Sequence, residues 1–265
     1  MRLRITHVTR YTYDAPVRYA LQRLRLFPVS CALQNVIAWS VAVNGARKEV
    51  EFTDAYGNPT WLVSAHGEPH MIETVAEGEI DTHERSGVLG PHFGYAPLWL
   101  YERPTALTTP GELSEAIARQ AATGANPLDR LHQVNGLVGA AIAWETGHTD
   151  AATNAEDALA RGRGVCQDHA QAFIAAARLL GFPARYVSGY LMRTDTVDQA
   201  ASHAWAEAHV PDLGWVGFDP ANVQSPDERY VRLAVGRDYR DAMPVSGVVH
   251  TESAEALAVT VTVEQ

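Results

Sequence analysis

The sequence predicts an α+β chain in which an N-terminal antiparallel β-sandwich-like domain precedes a mixed domain of helices and strands. Three observations predict it. Apolar and polar residues alternate through most of the first 82 positions, as in Leu3-Ile5 and Trp39-Val41-Val43, which is the period of strands with one buried face. Glycine and proline then crowd the stretch 86–110, where Gly87, Gly90, Pro91, Gly94, Pro97, Pro104 and Pro110 stand among aromatics, the chemistry of a linker or packing loop. Beyond it the apolar spacing lengthens to three and four residues in Leu128, Leu131, Val134, Leu137, Val138 and Ile142, as helices with a buried stripe require. The domains are accordingly drawn as residues 1–95 and 96–265.

Taken in order, the opening MRLRITHVTRYTYD alternates as a strand does and lacks the apolar core of a signal peptide. Arg2 with Arg4, and Arg23 with Arg25, are spaced by two, which sets each pair on one solvated strand face. Asn44-Gly45 between AWSVAV and ARKEVEF is the strongest hairpin signal in the chain. Further turns fall at Tyr56-Gly57-Asn58-Pro59 and His66-Gly67. Cys31 lies in a strand-like run and reads as a small buried hydrophobe. Helices are expected over 112–123 and 128–145. Asn154 then caps a short helix with acids in its first turn, and Gly162 stops it. An alanine-rich helix over 166–180 ends at Gly181 and Pro183. Strands follow over 184–192, 203–210 and 215–219, and the alternating LAVTVTV of 257–263 is expected to return to a sheet.

Composition excludes several classes. The 265 residues are 46% hydrophobic and 20% charged, which is inconsistent with wholesale disorder, a collagen-like repeat or a disulfide-stapled miniprotein. With 31 acidic against 21 basic residues the net charge is −10, so nucleic acid is repelled and is not an expected partner. No apolar run is long enough to span a bilayer, so no membrane anchor is expected. Two cysteines, Cys31 and Cys166, are too few and too far apart to form a disulfide framework; a reducing, cytoplasmic compartment is the simpler expectation.

The chemistry concentrates in Arg161-Gly-Arg-Gly-Val-Cys166-Gln-Asp-His, a glycine-punctuated turn that delivers a cysteine to the first turn of a helix. There the unpaired N–H groups and the macrodipole favour thiolate over thiol, and the same N–H groups can receive an oxyanion. Gly162 and Gly164 clear the approach for a substrate carbonyl. Downstream, Ser202-His203-Ala-Trp205-Ala-Glu207 begins a strand and Gly214-Trp215-Val-Gly-Phe-Asp219-Pro220 ends one. His203 and Asp219 therefore fall near the ends of two strands expected to be neighbours. Nucleophile, base and orienting carboxylate then occur in the chain order Cys, His, Asp. Each residue alone also has a structural reading: an inert buried cysteine, a satisfied strand histidine and a turn-forming aspartate.

The segment GVCQDHAQAFIAAARLLGFPARYVSGY, followed by SHAWAEAHVPDLGWVGFDPAN, resembles the bacterial transglutaminase-like family of the transglutaminase and papain-like superfamily. RITHVTRYTYDAPV near the start resembles the β-rich domain that precedes the catalytic core in that family. The resemblance implies a papain-like α+β core after the β-sandwich-like domain. It implies Cys166 as nucleophile, His203 as general base and acid, and Asp219 as the orienting carboxylate. Gln167, Asp168 and Asn222 occupy motif positions to which the residues alone assign no role. The implied reaction is acyl transfer on the amide of a protein or peptide through a thioester, resolved by water or by another amine, with no metal or organic cofactor. Peptidase is slightly favoured over transamidase.

No glutamine stands between Ala151 and Val165, where the papain pattern usually offers an oxyanion donor. The N–H of Cys166 is the first substitute, with the Trp144 indole and the Gln167 amide behind it. Trp205 and Trp215 flank the triad and either pack in the core or line an acyl cleft. His66 with His70 sits beside Gly67 and Pro69 rather than on a helix, and Cys166, His169, His203 and His209 lack a closed ligand spacing, so neither set reads as a metal site. Gly162-x-Gly164 is a turn, too short for a dinucleotide fingerprint. The alternative function is a binding or scaffold protein that keeps the fold with an unreactive thiol. The sequence leaves the oligomeric state open.

Overall fold

The computed structural model describes residues 1–193, 198–199, 202–250 and 254–265. In chain order it comprises β1 (Arg2–Tyr13), β2 (Tyr19–Leu24), β3 (Gln34–Asn44), β4 (Ala46–Thr53), β5 (Pro59–Ala65), β6 (Met71–Thr82) and β7 (Val88–Gly90). A short 3₁₀ turn at Leu98–Tyr101 leads to α1 (Glu112–Ala121), α2 (Pro127–Ala141), β8 (Ala143–Trp144), α3 (Ala155–Arg161), β9 (Arg163–Gly164) and α4 (Cys166–Leu179). The chain closes with β10 (Ala184–Leu191), β11 (Asp198–Gln199), β12 (His203–Val210), β13 (Gly214–Phe218), β14 (Tyr230–Gly236), α5 (Tyr239–Ala242), β15 (Val245–His250) and β16 (Glu255–Glu264).

Two antiparallel sheets, ordered β11-β16-β1-β6-β3 and β15-β2-β5-β4, form the sandwich. Leu3, Ile5, Leu24, Val63, Ile80, Val261 and Val263 are buried together in one cluster drawn from both sheets, so the alternation in these strands is the imprint of that core. The tail does return: β16 pairs with β1 in continuous register from Arg4↔Glu264 to Tyr13↔Glu255. Asn44-Gly45, however, is not a hairpin. β3 pairs with β6 and β4 with β5, so the chain turns at Gly45 from one sheet into the other. Gly45 has φ +78°, and a Cβ there would lie 2.1 Å from the carbonyl oxygen of Met71; only glycine fits this corner.

Two further expectations are corrected. Arg2 and Arg4 do lie on an exposed face, paired at 2.8 Å with Asp81 and Glu79 of β6. Arg25, by contrast, is buried and bonded at 2.8 Å to Asp54, because the chain leaves β2 at Leu24 and turns inward. Cys31 belongs to no regular strand and is half-buried, held by an isolated bridge to Gln34.

The third sheet, β14-β10-β12-β13-β7, belongs to the mixed domain of helices and strands. β7, inside the expected linker, adds its edge strand. Ala204, Ala206 and Ala208 of β12 lie in one core with Ala170, Phe173 and Ala177 of α4; small residues on both surfaces let helix and strand approach closely. Phe173 stacks on Phe218 of β13 at 5.1 Å between centroids. The opposite face of the sheet meets the sandwich: Asn58 Nδ2 donates to Val235 O at 2.7 Å, and Val235 N donates to Asn58 Oδ1 at 2.8 Å. Among the described residues no helix is long and apolar enough to cross a membrane.

Candidate active site

Cys166 is the first residue of α4, and the local sequence explains how it arrives there. Gly162 ends α3 in the left-handed region at φ +66°, and Arg163–Gly164 then runs parallel to Ala143–Trp144. A Cβ at position 164 would stand 2.6 Å from Asp168 Oδ2, so glycine lets that carboxylate fold back over the chain. Asp168 Oδ2 accepts the Val165 N–H at 2.7 Å and the Thr149 hydroxyl at 2.6 Å, closing the helix start from the N3 position. His169 sits with Nδ1 2.9 Å from Val165 O and Nε2 2.8 Å from Ile142 O, tying the same turn to the end of α2. The N–H groups of Cys166 and Gln167 lie in the first turn, where the helix offers no carbonyl to receive them. The thiol is 8% exposed and donates to Gln167 Oε1 at 3.3 Å.

His203 opens β12, and Asp219 follows the last residue of β13. These strands pair with Ala206 opposite Phe218, which brings the two side chains together at one sheet end. His203 Nε2 lies 2.7 Å from Asp219 Oδ2. The remaining ring nitrogen, Nδ1, is then the one available to the Cys166 sulfur, which lies within electrostatic reach of this ring. Burial opposes a charge on His203. The Asp219 hydrogen bond, followed by the hydrogen bond and charge of Cys166, outweighs it and pushes the imidazole up to about 10.

Asp219 is fully buried and surrounded by donors. Oδ2 also receives Asn222 Nδ2 and the Tyr230 hydroxyl, each at 2.7 Å, and Oδ1 receives the N–H groups of Ala221 at 3.1 Å and Asn222 at 3.3 Å. Burial alone would raise its carboxyl; His203, Asn222 and Tyr230 together hold it below the usual carboxylate range. The turn that makes this possible is fastened by reciprocal backbone bonds between Asp219 and Gln224, at 2.8 and 3.1 Å. It passes through Val223 at φ +53°, a strained conformation for a β-branched residue.

Trp205 is buried two positions along β12, stacked on His203 at 6.2 Å and edge-on to Tyr230 at 5.4 Å. Gly189 makes room for it: a Cβ there would lie 2.4 Å from the indole. Trp144, on β8 beside Gly164, is 56% exposed. Trp215 lies near the other end of β13 from Asp219, buried against Tyr101 and under the Arg185 guanidinium at 3.8 Å. The structure thus gathers Cys166, Gln167, His203, Trp205 and Asp219, sets Trp144 beside the helix start and leaves Trp215 in the core. Asn222 now has a role in holding Asp219. Tyr230 and Gln224, whose amide donates to Tyr230 Oη at 2.6 Å, carried no signal in the sequence reading.

Comparison with known proteins finds matches to both halves of the chain. Residues 3–81 match the bacterial transglutaminase-like N-terminal region, and residues 115–220, which include Cys166, His203 and Asp219, match the transglutaminase-like superfamily. An uncharacterized protein of Mycobacterium leprae is 30% identical over 275 residues, covering 98% of this chain and 97% of that protein. One from Mycobacterium tuberculosis is 29% identical over 282 residues, covering 95% and 88%. A crystal structure from Cytophaga hutchinsonii, of a protein provisionally described as a cysteine protease, superposes with a TM-score of 0.75 at 20% identity, covering 98% of this chain and 90% of that one, a likeness of fold. Both halves of the chain are matched, and it belongs to the bacterial transglutaminase-like family of the transglutaminase-like superfamily.

Proposed function

We propose that the protein is a cysteine-dependent enzyme that transfers the acyl group of a protein or peptide amide through a thioester, as a cysteine peptidase or a protein-glutamine transamidase. The observation that carries the reading is the 2.7 Å contact of His203 Nε2 with Asp219 Oδ2, which leaves Nδ1 as the ring nitrogen for a cysteine at a helix N-terminus. Geometry of this kind is what nucleophilic catalysis by a thiol requires.

In the proposed reaction Sγ of Cys166 yields its proton to His203 Nδ1 and attacks the amide carbon. The developing oxyanion is received by the free N–H at the start of α4, with the Trp144 indole and the Gln167 amide as flanking donors. The C–N bond breaks as His203 returns the proton to the leaving amine, leaving a thioester on Cys166. Water, or a second amine, then gives a proton to His203 and attacks the thioester, and the thiol is restored. Asp219 keeps the ring oriented and balances its charge throughout. Hydrolysis is the favoured outcome. Cys31 and Cys166 are both free thiols, which supports a reducing, cytoplasmic setting.

The test incubates the protein, with Cys166→Ala as control, with casein and a fluorescent amine. New N-termini that depend on Cys166 support peptidase action, and amine incorporation that depends on it supports transamidation. Neither product, or equal product from Cys166→Ala, would overturn the reading.

A further inference from the structure

The end of α2 meets both the nucleophile helix and the turn that carries Asp219, and it meets the turn at a glycine. A Cβ at Gly139 would lie 2.5 Å from Val223 Cγ2 and 2.7 Å from Pro220 O, so the turn after Asp219 is seated in the space of the missing side chain. Close packing leaves no room there for an added methyl unless the turn itself moves. Just beyond Gly139, Ile142 O lies 2.8 Å from His169 Nε2, on the helix that begins at Cys166. Earlier on α2, His132 meets Phe218 edge-on at 5.2 Å between ring centroids, and Phe218 immediately precedes Asp219.

Val223 shows that this seat is kept against the preference of the backbone. The reciprocal bonds between Asp219 and Gln224 close a turn over Pro220–Val223, and Val223, its last residue, stands at φ +53°. Glycine takes that conformation freely, whereas a β-branched residue is strained in it. Strain of this kind persists where the surroundings impose it, and the outlier points to a role. Core burial is not that role, because Val223 is 55% exposed. Its side chain instead places Cγ2 where a side chain at position 139 would stand. The same turn brings the N–H groups of Ala221 and Asn222 to Asp219 Oδ1, at 3.1 and 3.3 Å, so a shift of the turn displaces the donors that hold the carboxylate.

We infer that the end of α2 is a brace that sets the spacing of thiol and imidazole, with Gly139 and Val223 as its positioning residues. Cys166 stands on a helix, whereas Asp219, which orients His203, stands on a turn at a sheet end. α2 is fastened to both, through His169 on one side and through Pro220 and Val223 on the other. Gly139 and Val223 act through Asp219 on His203. A misplacement of about 1 Å in such a pair costs on the order of a hundredfold in rate, so a brace at this point bears on the chemistry. The inference rests on the cysteine-enzyme reading, and its test separates the two.

The test follows iodoacetamide alkylation of Cys166 against pH in the wild type and in Gly139→Ala, Gly136→Ala, Val223→Gly and Val223→Thr. Gly136 lies on the same helix, and an added Cβ there meets nothing within 4 Å among the described residues, so the same substitution favours the helix without touching the turn. Val223→Thr keeps Cγ2, and Val223→Gly removes it while relaxing the backbone. Alkylation near neutral pH should slow about fivefold in Gly139→Ala and in Val223→Gly, with its pH midpoint moved up toward that of an ordinary thiol. Gly136→Ala and Val223→Thr should keep the wild-type profile. Val223→Gly adds no volume, so it decides the matter where Gly139→Ala does not fold. A fast Cys166 with an unchanged profile in Val223→Gly, or an equal loss in Gly136→Ala, would overturn the brace alone. A wild-type Cys166 no faster than Cys31 would overturn the catalytic reading and the brace with it.

Discussion

Tyr230 donates its hydroxyl to Asp219 Oδ2 at 2.7 Å, the oxygen that also faces His203 Nε2 at 2.7 Å. The carboxylate that orients the imidazole is thus oriented by a buried phenol, whose proton is held well above the usual phenol range by burial and then by the Asp219 charge. Tyr230→Phe keeps the ring against Trp205 and removes only the hydroxyl. We expect kcat/KM for amide cleavage or transfer to fall about tenfold, roughly 1.4 kcal/mol of transition-state stabilisation. An unchanged rate would show that Asn222 and the backbone hold Asp219 without it.

His203 gives a pH signature. Its folded value, about 10, lies above its ordinary 6.5, so the stability it contributes is fully present below about pH 6.5 and is lost as pH rises through about 10. Asp219→Asn keeps an acceptor for the ring and removes the charge. Its melting temperature should decline less than that of the wild type across this window, and activity should fall at least about a hundredfold. Parallel melting curves for the two proteins would contradict the assignment.

A buried charge cluster behind the site makes the opposite prediction at low pH. Glu207 accepts Arg185 Nε at 2.6 Å and Arg232 Nε at 2.9 Å, and all three side chains are largely shielded from water. Burial would raise the carboxyl of Glu207, but the two guanidinium groups hold it below its ordinary 4.5. This contribution is therefore present above about pH 4.5 and lost as pH falls through the depressed value. Glu207→Ala leaves two buried cations without their partner and should destabilise by about 3–5 kcal/mol in chemical unfolding at neutral pH. A loss under about 1 kcal/mol would show that water or other groups satisfy the arginines.

Gly189→Ala probes the platform beneath His203. The added methyl would meet Val231 O at 2.2 Å and the Trp205 indole at 2.4 Å, so either the strand pairing or the tryptophan must move. We expect a loss of about 1–3 kcal/mol in stability together with reduced turnover, read by melting temperature and kcat. Full activity in a stably folded Gly189→Ala protein would show that the stacking of Trp205 on His203 does not matter to the chemistry.

The sequence made the places of Cys166, His203 and Asp219 in the fold legible because their signals are local: a glycine-stopped helix start and the two ends of short strands. Their supports are not local. Tyr230 reaches Asp219 from a strand three places away in the sheet order, and nothing in YVRLAVG indicates which strand it will pair with. Asn44-Gly45 has hairpin chemistry, yet the closure of the sandwich sends its two strands into different sheets. Arg25 alternates like a surface residue, and only the approach of Asp54 shows why it is buried. β7, three residues long, is too short to show a period at all.

The central claim is that Cys166 is an activated nucleophile, and alkylation tests it most directly. The protein is treated with iodoacetamide near neutral pH and the modified peptides are quantified over time by mass spectrometry. Cys31 is the more exposed of the two thiols, so access alone favours its reaction. The account predicts the reverse: Cys166 is alkylated at least about tenfold faster than Cys31, and His203→Ala removes the difference. Faster reaction at Cys31, or a Cys166 rate indifferent to His203, would contradict it.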